Sequence, residues 1–122
     1  MKLKIKKSRV KIKSKVKICD SLWSELVKKC AGYKCEICGT TTYLQSHHII
    51  PRTCYSLRHD WNNGVCLCRR HHLFFAHKDA LAFAQWVQMN RDIEYLESRR
   101  NSQSKNDYSL IEIYLRNELR EV

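Results

Sequence analysis

The chain has 122 residues and a formal net charge of +11, from 23 Lys and Arg against 12 Asp and Glu. That length suits one domain, no apolar run approaches the roughly 20 residues a membrane span needs, and the leader has no apolar signal-peptide core. Seven cysteines, an odd number, argue against a secreted disulfide framework and for metal-bound thiolates in a reducing cytoplasm.

The charge is unevenly placed. Residues 1–18 hold eight Lys and one Arg with no acid, whereas residues 19–122 carry 14 basic and 12 acidic groups. The first 18 residues therefore read as a basic arm. Neutralising phosphates releases condensed counterions, so the arm suits nucleic acid, with Lys11, Lys13 and Lys15 as candidate contacts. An anionic membrane surface, or an edge strand guarded by lysines, would account for the same charge. Lysine alternates here with Leu3, Ile5, Val10, Ile12, Val16 and Ile18, slipping at Lys6-Lys7-Ser8-Arg9. This period of two predicts one or two short strands, or an arm that orders on DNA.

Asp20 or Ser21 can cap a short helix with Leu22, Trp23, Leu26, Val27 and Cys30 on its apolar face, and Gly32 can stop it. Trp23 reads as a core anchor. Tyr43 to Ile49 predicts a strand that ends at Pro51, where the missing donor does no harm. Asn62-Asn63-Gly64 signals a turn, Val65 to Leu67 a second strand, and a helix from near Cys68 carries Arg69 to His77. Asp79 caps the next helix, Asn90 breaks it, and Asp92 to Arg100 forms a further piece. Residues 101–106 are a polar linker, and Asp107 to about Arg120 is a last helix. The expected organisation is an arm at 1–18, a central domain at 19–100, and a linker with a C-terminal helix at 101–122. His59 and Asp60 read as parts of a structural turn.

Cysteine and histidine crowd the middle of the chain. Cys35-x-x-Cys38 and Cys68-x-x-His71 are two ligand pairs about thirty residues apart, a spacing that suits a tetrahedral site of three thiolates and one imidazole. Soft ligands favour Zn2+ over magnesium or calcium. Cys66 or Cys54 could compete for the site, whereas Cys19 and Cys30 read as small hydrophobes. His47, His48, His72 and His77 remain. Neighbours on a strand face opposite ways, so His47 and His48 cannot share a role; one can bind a metal while the other faces a reacting water.

Cys35-x-x-Cys38, His47-His48-Ile49, Asn63 and Leu67-Cys68-x-x-His71-His72 together resemble an HNH endonuclease with its flanking zinc knuckle, over roughly Cys35 to His77. The following Lys78-Asp79 helix resembles phage-encoded members. The resemblance implies a ββα-metal (His-Me finger) core; with the structural zinc knuckle, basic arm and flanking helices read above, the expected fold class is α+β. By position, His48 would be the general base, and His47 would bind the catalytic ion where many members have Asp. Asn63 would pin the loop that orients His48, and His72 would be a metal ligand. His77, five residues after His72 instead of the four that best share a helical face, would complete the metal shell or touch the scissile phosphate. His71 stands where the family usually has a second knuckle cysteine, which raises the question of whether His71 or His72 faces the ion.

The implied activity is DNA phosphodiester hydrolysis with Zn2+ in the knuckle and Mg2+, Mn2+, Ni2+ or Zn2+ at the active site. A neutral imidazole near pKa 6.5 suits water activation, and one ion can stabilise the phosphorane and leaving oxygen. Arg52, Arg58, Arg69 and Arg70 are candidate phosphate contacts. By resemblance alone, a phage packaging terminase would be a partner and the host cytoplasm the location. The second reading is a zinc-stabilised nucleic-acid-binding module without cleavage. A thiol redox protein is the weakest, because the Cys35 knuckle does not open a helix.

Overall fold

The structure is a computed structural model that describes residues 2–102 and 105–121, with side chains from Lys11 onward. It is an α+β fold in which one small antiparallel sheet lies between helices. The elements are α1 (Lys2–Cys30), β1 (Leu44–His48), a 3-10 turn (Trp61–Asn63), β2 (Gly64–Cys68), α2 (Arg69–His71), a π-helical turn (His72–His77), α3 (Ala80–Asn90), α4 (Ile93–Arg100) and α5 (Tyr108–Glu121). No helix among the described residues is long and apolar enough to cross a membrane.

The expected strands at residues 2–18 are not there. That stretch is helix, continuous with the short helix expected after Asp20. Two features favour one helix. No Gly or Pro interrupts residues 2–30, and lysine is a good helix former. Val16, Cys19, Trp23, Leu26 and Val27 also fall at helical spacing, and from Cys19 on they are buried. Alternation with lysine mimicked a strand, because apolar residues scattered through a stretch so rich in lysine fall between lysines whatever its backbone does. The side chains of Leu3, Ile5 and Val10 lie outside those described. Gly32 ends α1 as expected, at φ +68°. The Tyr33 amide reaches the Lys28 carbonyl (2.9 Å) and the Gly32 amide the Lys29 carbonyl (3.0 Å), the paired bonds of a Schellman cap.

β1 and β2 pair with His47 opposite Val65 and His48 opposite Gly64. All five residues of β2 are buried, because the strand is covered on both faces. Cys66 joins Cys19, Trp23, Leu26, Val27 and Leu115 in the core beneath α1 and α5. Val65 and Leu67 join Phe83 and Val87 in a second core beneath α3. Burying a Leu or Val side chain is worth about 1.5–3 kcal/mol, so these two layers hold the hairpin in place. Gly64 sets how closely α1 can approach. A Cβ there would lie 2.4 Å from Val27 Cγ2 and 3.0 Å from Trp23 Cζ2.

The remaining elements follow the sequence. Asp79 and Asp92 cap α3 and α4 by accepting from the Ala82 and Tyr95 amides. α5 packs along α1, with Lys15 bound to Glu112 (3.2 Å) and the Lys29 ammonium on the Leu119 carbonyl.

Candidate functional site

Two clusters of ligand side chains flank the start of the helical run after β2. The first is Cys35, Cys38, Cys68 and His71, whose donor atoms all lie within 4.8 Å of one another. Cys35 and Cys38 are held on a tight turn. The Cys35 amide bonds the Thr40 carbonyl and the Gly39 amide the Cys35 carbonyl (both 2.8 Å), with Gly39 at φ +76°. Cys68 closes β2 and His71 ends α2, three residues on. Zinc at about 2.3 Å from sulfur and about 2.0–2.1 Å from nitrogen has tetrahedral S···S edges near 3.8 Å and S···N edges near 3.5 Å. Here the Cys38–Cys68 sulfurs are 3.8 Å apart, and His71 Nδ1 is 3.8 Å from the Cys35 sulfur and 3.2 Å from that of Cys68. The donor set therefore fits a metal ion such as zinc. Burial opposes the Cys35 thiolate, but hydrogen bonds from the Cys38, Cys68 and Ile37 backbone outweigh it and hold the thiol below its ordinary value.

The competing cysteines lie elsewhere. Cys66 is in the α1 core, where burial pushes its thiol up to about 11, and Cys54 contacts Ser56 and the Arg100 carbonyl. Cys30 is exposed at the end of α1 and is no core hydrophobe.

The second cluster is His47, His72 and His77, again with donors within 4.8 Å. The five-residue gap between His72 and His77 is no obstacle. Residues 72–77 form a π-helical turn, whose i→i+5 bonding stacks residues five apart. The two Nε2 atoms are 3.1 Å apart. Two imidazoles on one ion at about 2.0–2.1 Å stand about 2.9 Å apart at a right angle and about 3.4 Å at the tetrahedral angle, so this separation fits a shared divalent ion. The His47 ring meets both edge-on, with centroids 5.1 and 5.2 Å away, and rests on Phe83. Burial, then repulsion from His72, His77 and His48, lowers the His47 pKa to about 4. Burial and His77 lower that of His72. Neutral imidazoles keep their lone pairs for a cation. His71 belongs to the first cluster and His72 to the second, which answers the register question.

His48 is the last residue of β1 and faces the other way, towards α1. Its ring stacks on Trp23 at 3.8 Å between centroids and 6° between planes. Its Nε2–H donates to the Arg58 carbonyl (2.9 Å), which fixes the tautomer and leaves Nδ1 as the lone-pair nitrogen. Among the described residues nothing partners Nδ1, and unlike His59 Nδ1 it is not sealed from solvent. Burial lowers the His48 pKa despite the opposing Arg58 bond. Gly64 lies across the hairpin from His48 and is what lets Trp23 approach the ring.

The loop that carries Arg58 is tied down at two points. Asn63 is fully buried. Its Oδ1 accepts from the Ile50 amide (2.8 Å), and its Nδ2 donates to the Ile50 and Leu57 carbonyls (2.9 and 3.2 Å). Asp20 takes the Arg58 guanidinium in a fork (2.9 and 2.8 Å) and the His59 ring at 2.7 Å. Burial opposes the Asp20 carboxylate, but bonds from Arg58 and His59 outweigh it and keep its pKa low.

Several sequence expectations change here. Arg58 is an ion-pair partner of Asp20, not a free phosphate contact, and Asp20 sits inside α1 instead of capping it. Trp23 is a core anchor that also seats His48. Asp60 caps the 3-10 turn and accepts from the Tyr95 hydroxyl and Trp23 Nε1. The signal for this clasp was the i, i+3 spacing of Asp20 and Trp23, which means something only once α1 is read as one helix. Lys11, Lys13, Arg52, Arg69 and Arg70 are exposed, while Lys15 is engaged with Glu112. Comparison with family models, with curated proteins and with solved structures finds no match to this chain.

Proposed function

We propose that the chain is a metal-dependent HNH endonuclease that hydrolyses DNA phosphodiester bonds, with β1, β2 and the following helical run as its ββα-metal core. The observation that carries this reading is the pairing of two unlike histidine environments on adjacent residues. His48 is neutral, held by Trp23 and Arg58, and keeps Nδ1 open. His47 turns to the opposite face and converges with His72 and His77. A module that only bound DNA would need neither the fixed tautomer nor the three converging rings.

In this reading Cys35, Cys38, Cys68 and His71 hold a structural zinc, and His47, His72 and His77 hold a divalent ion such as Mg2+, Mn2+, Ni2+ or Zn2+. When bound, that ion supplies charge stabilisation to the phosphorane and the leaving oxygen. The scissile phosphate lies across the end of β1, within reach of both faces. His48 Nδ1 takes the proton of the attacking water, while the Arg58 carbonyl and the Trp23 face keep the ring from turning away. Asn63 fixes the loop on which Arg58 sits. Arg52, Arg69 and Arg70, with Lys11 and Lys13, supply positive charge for the DNA backbone.

The test is plasmid cleavage across Mg2+, Mn2+ and Ni2+, by the wild type and by His48→Ala. Loss of the base should lower the rate by about 10²–10⁴-fold while DNA binding and zinc content persist. Unchanged cleavage by the variant would sink the mechanism. A wild type that binds DNA but fails to cut it with any of these ions would favour the non-catalytic module.

A further inference from the structure

A groove lies beside the Cys3His cluster, and its apolar side chains have no part in the chemistry above. Its volume is about 550 Å³, and its floor is formed by Cys38, Cys68 and His71. Three large apolar side chains open onto it: Tyr43 is 78% exposed, Leu73 46% and Phe74 54%. Single exposed apolar residues are ordinary, but three around one depression form a patch that asks for an occupant. Arg69 and Arg70 line the same groove, and the Lys78 ammonium lies 5.1 Å from the Phe74 ring centroid. Among the described residues no carboxylate lines it.

The occupant that matches is anionic and carries flat apolar faces. An unpaired nucleic-acid strand has both properties, since its bases can stack on aromatic rings while its phosphates meet arginine forks. A continuous duplex does not fit as well, because its bases are already stacked on each other and present only their edges. An acidic peptide would satisfy the arginines but has less use for the exposed Tyr43 and Phe74 rings. Position also favours nucleic acid. Arg69, Leu73 and Phe74 belong to the same short helical run as His72 and His77, which joins the groove to the element that carries two of the three clustered histidines.

We propose that this groove binds an unpaired stretch of nucleic-acid strand, so that the preferred substrates contain one: gaps, flaps or branch points. The cleavage part rests on the nuclease reading; the binding part does not. The experiment measures fluorescence anisotropy of a short labelled oligonucleotide, as a single strand and as a duplex of the same sequence. The protein carries His48→Ala, so that nothing is cut, with Phe74→Ala, Tyr43→Ala or Phe74→Trp added in turn.

Phe74→Ala should weaken single-strand binding by about 5- to 150-fold, the loss of one base–aromatic stack. Duplex binding should change much less, and Phe74→Trp should restore the single-strand affinity. Zinc content and circular dichroism confirm that each variant is folded. Equal weakening on both substrates, or no weakening on either, would overturn the proposal. So would tight, Phe74-dependent binding of an acidic leucine-containing peptide with no single-strand preference, which would make the groove a protein-docking surface. Plasmid cleavage by the wild type is scored separately, so failure of the groove and failure of the nuclease reading are told apart.

Discussion

Replacing Asn63 by Asp changes one atom type in a buried network and leaves the shape intact. The carboxylate keeps one contact, since its Oδ1 can still accept from the Ile50 amide. Where Nδ2 donated to the Ile50 and Leu57 carbonyls at 2.9 and 3.2 Å, an oxygen now faces two oxygens. Two hydrogen bonds at about 1–1.5 kcal/mol each are lost, and acceptors are left buried without donors. Together the cost comes to about 3–5 kcal/mol, a large part of the roughly 5–15 kcal/mol that holds a domain together.

Protonation is the way out for the variant, because a neutral carboxyl can donate to one of the two carbonyls. Its folded-state pKa therefore rises above the ordinary value near 3.9. A raised folded pKa means that the folded state holds its proton longer as pH increases, so stability falls with rising pH. The gap to the wild type should be widest at neutral pH and should narrow on acidification. Urea unfolding of both proteins at pH 7 and pH 5, with zinc bound, measures this directly. A variant within about 0.5 kcal/mol of the wild type at pH 7, or a gap that widens towards acid, refutes the reasoning. Because the same loop carries the Arg58 carbonyl, cleavage should fall as well.

Metal analysis should find about one tightly held zinc per chain, and stripping it with a strong chelator should unfold the knuckle; a zinc-free protein with an unchanged melting curve contradicts the Cys3His assignment. Gly64→Ala should destabilise by about 1–3 kcal/mol, because the added methyl meets Val27 at 2.4 Å, and a silent substitution would mean that α1 does not sit so close to β2. His47, whose pKa of about 4 is set first by burial, resists protonation only when folded. The unfolded chain then takes up the proton first, so stability should fall as pH drops from about 6.5 towards 4, and His47→Asn should flatten the urea midpoint over that range. Changing Lys11, Lys13 and Lys17 to Gln should reduce the slope of log affinity against log salt for duplex DNA by up to about 0.9 per lost phosphate contact. An unchanged slope removes α1 from the DNA interface.

Much of the site could be read from the sequence because its chemistry is written in spacing. Two ligand pairs with two-residue gaps announce a metal cluster whatever the fold around them. Two adjacent histidines on a strand must face opposite ways, and caps such as Asp79 and Asp92 act within one turn of their own position. The hairpin itself followed from a strand stopped by proline and a turn at Asn62-Asn63-Gly64. These features depend on neighbours close in the chain, so local geometry was enough.

Tertiary structure decided the rest. Whether residues 2–18 form strand or helix could not be settled by alternation, because α5, on which α1 packs, lies some ninety residues away. The partnership of Asp20 with Arg58 and His59, and of Trp23 with His48, joins segments that only the closing of α1 over β2 brings together. His77 stood between the metal shell and the scissile phosphate while the helix was taken as α, and became a neighbour of His72 through one π-turn. Gly64, read from sequence as part of a turn, proved to be the gap through which α1 seats Trp23 against His48. The sequence thus determined which side chains have the chemistry to bind a metal or take a proton. Packing between distant segments determined which nitrogen is left open, because tautomer, stacking and burial are properties of neighbours and not of residues.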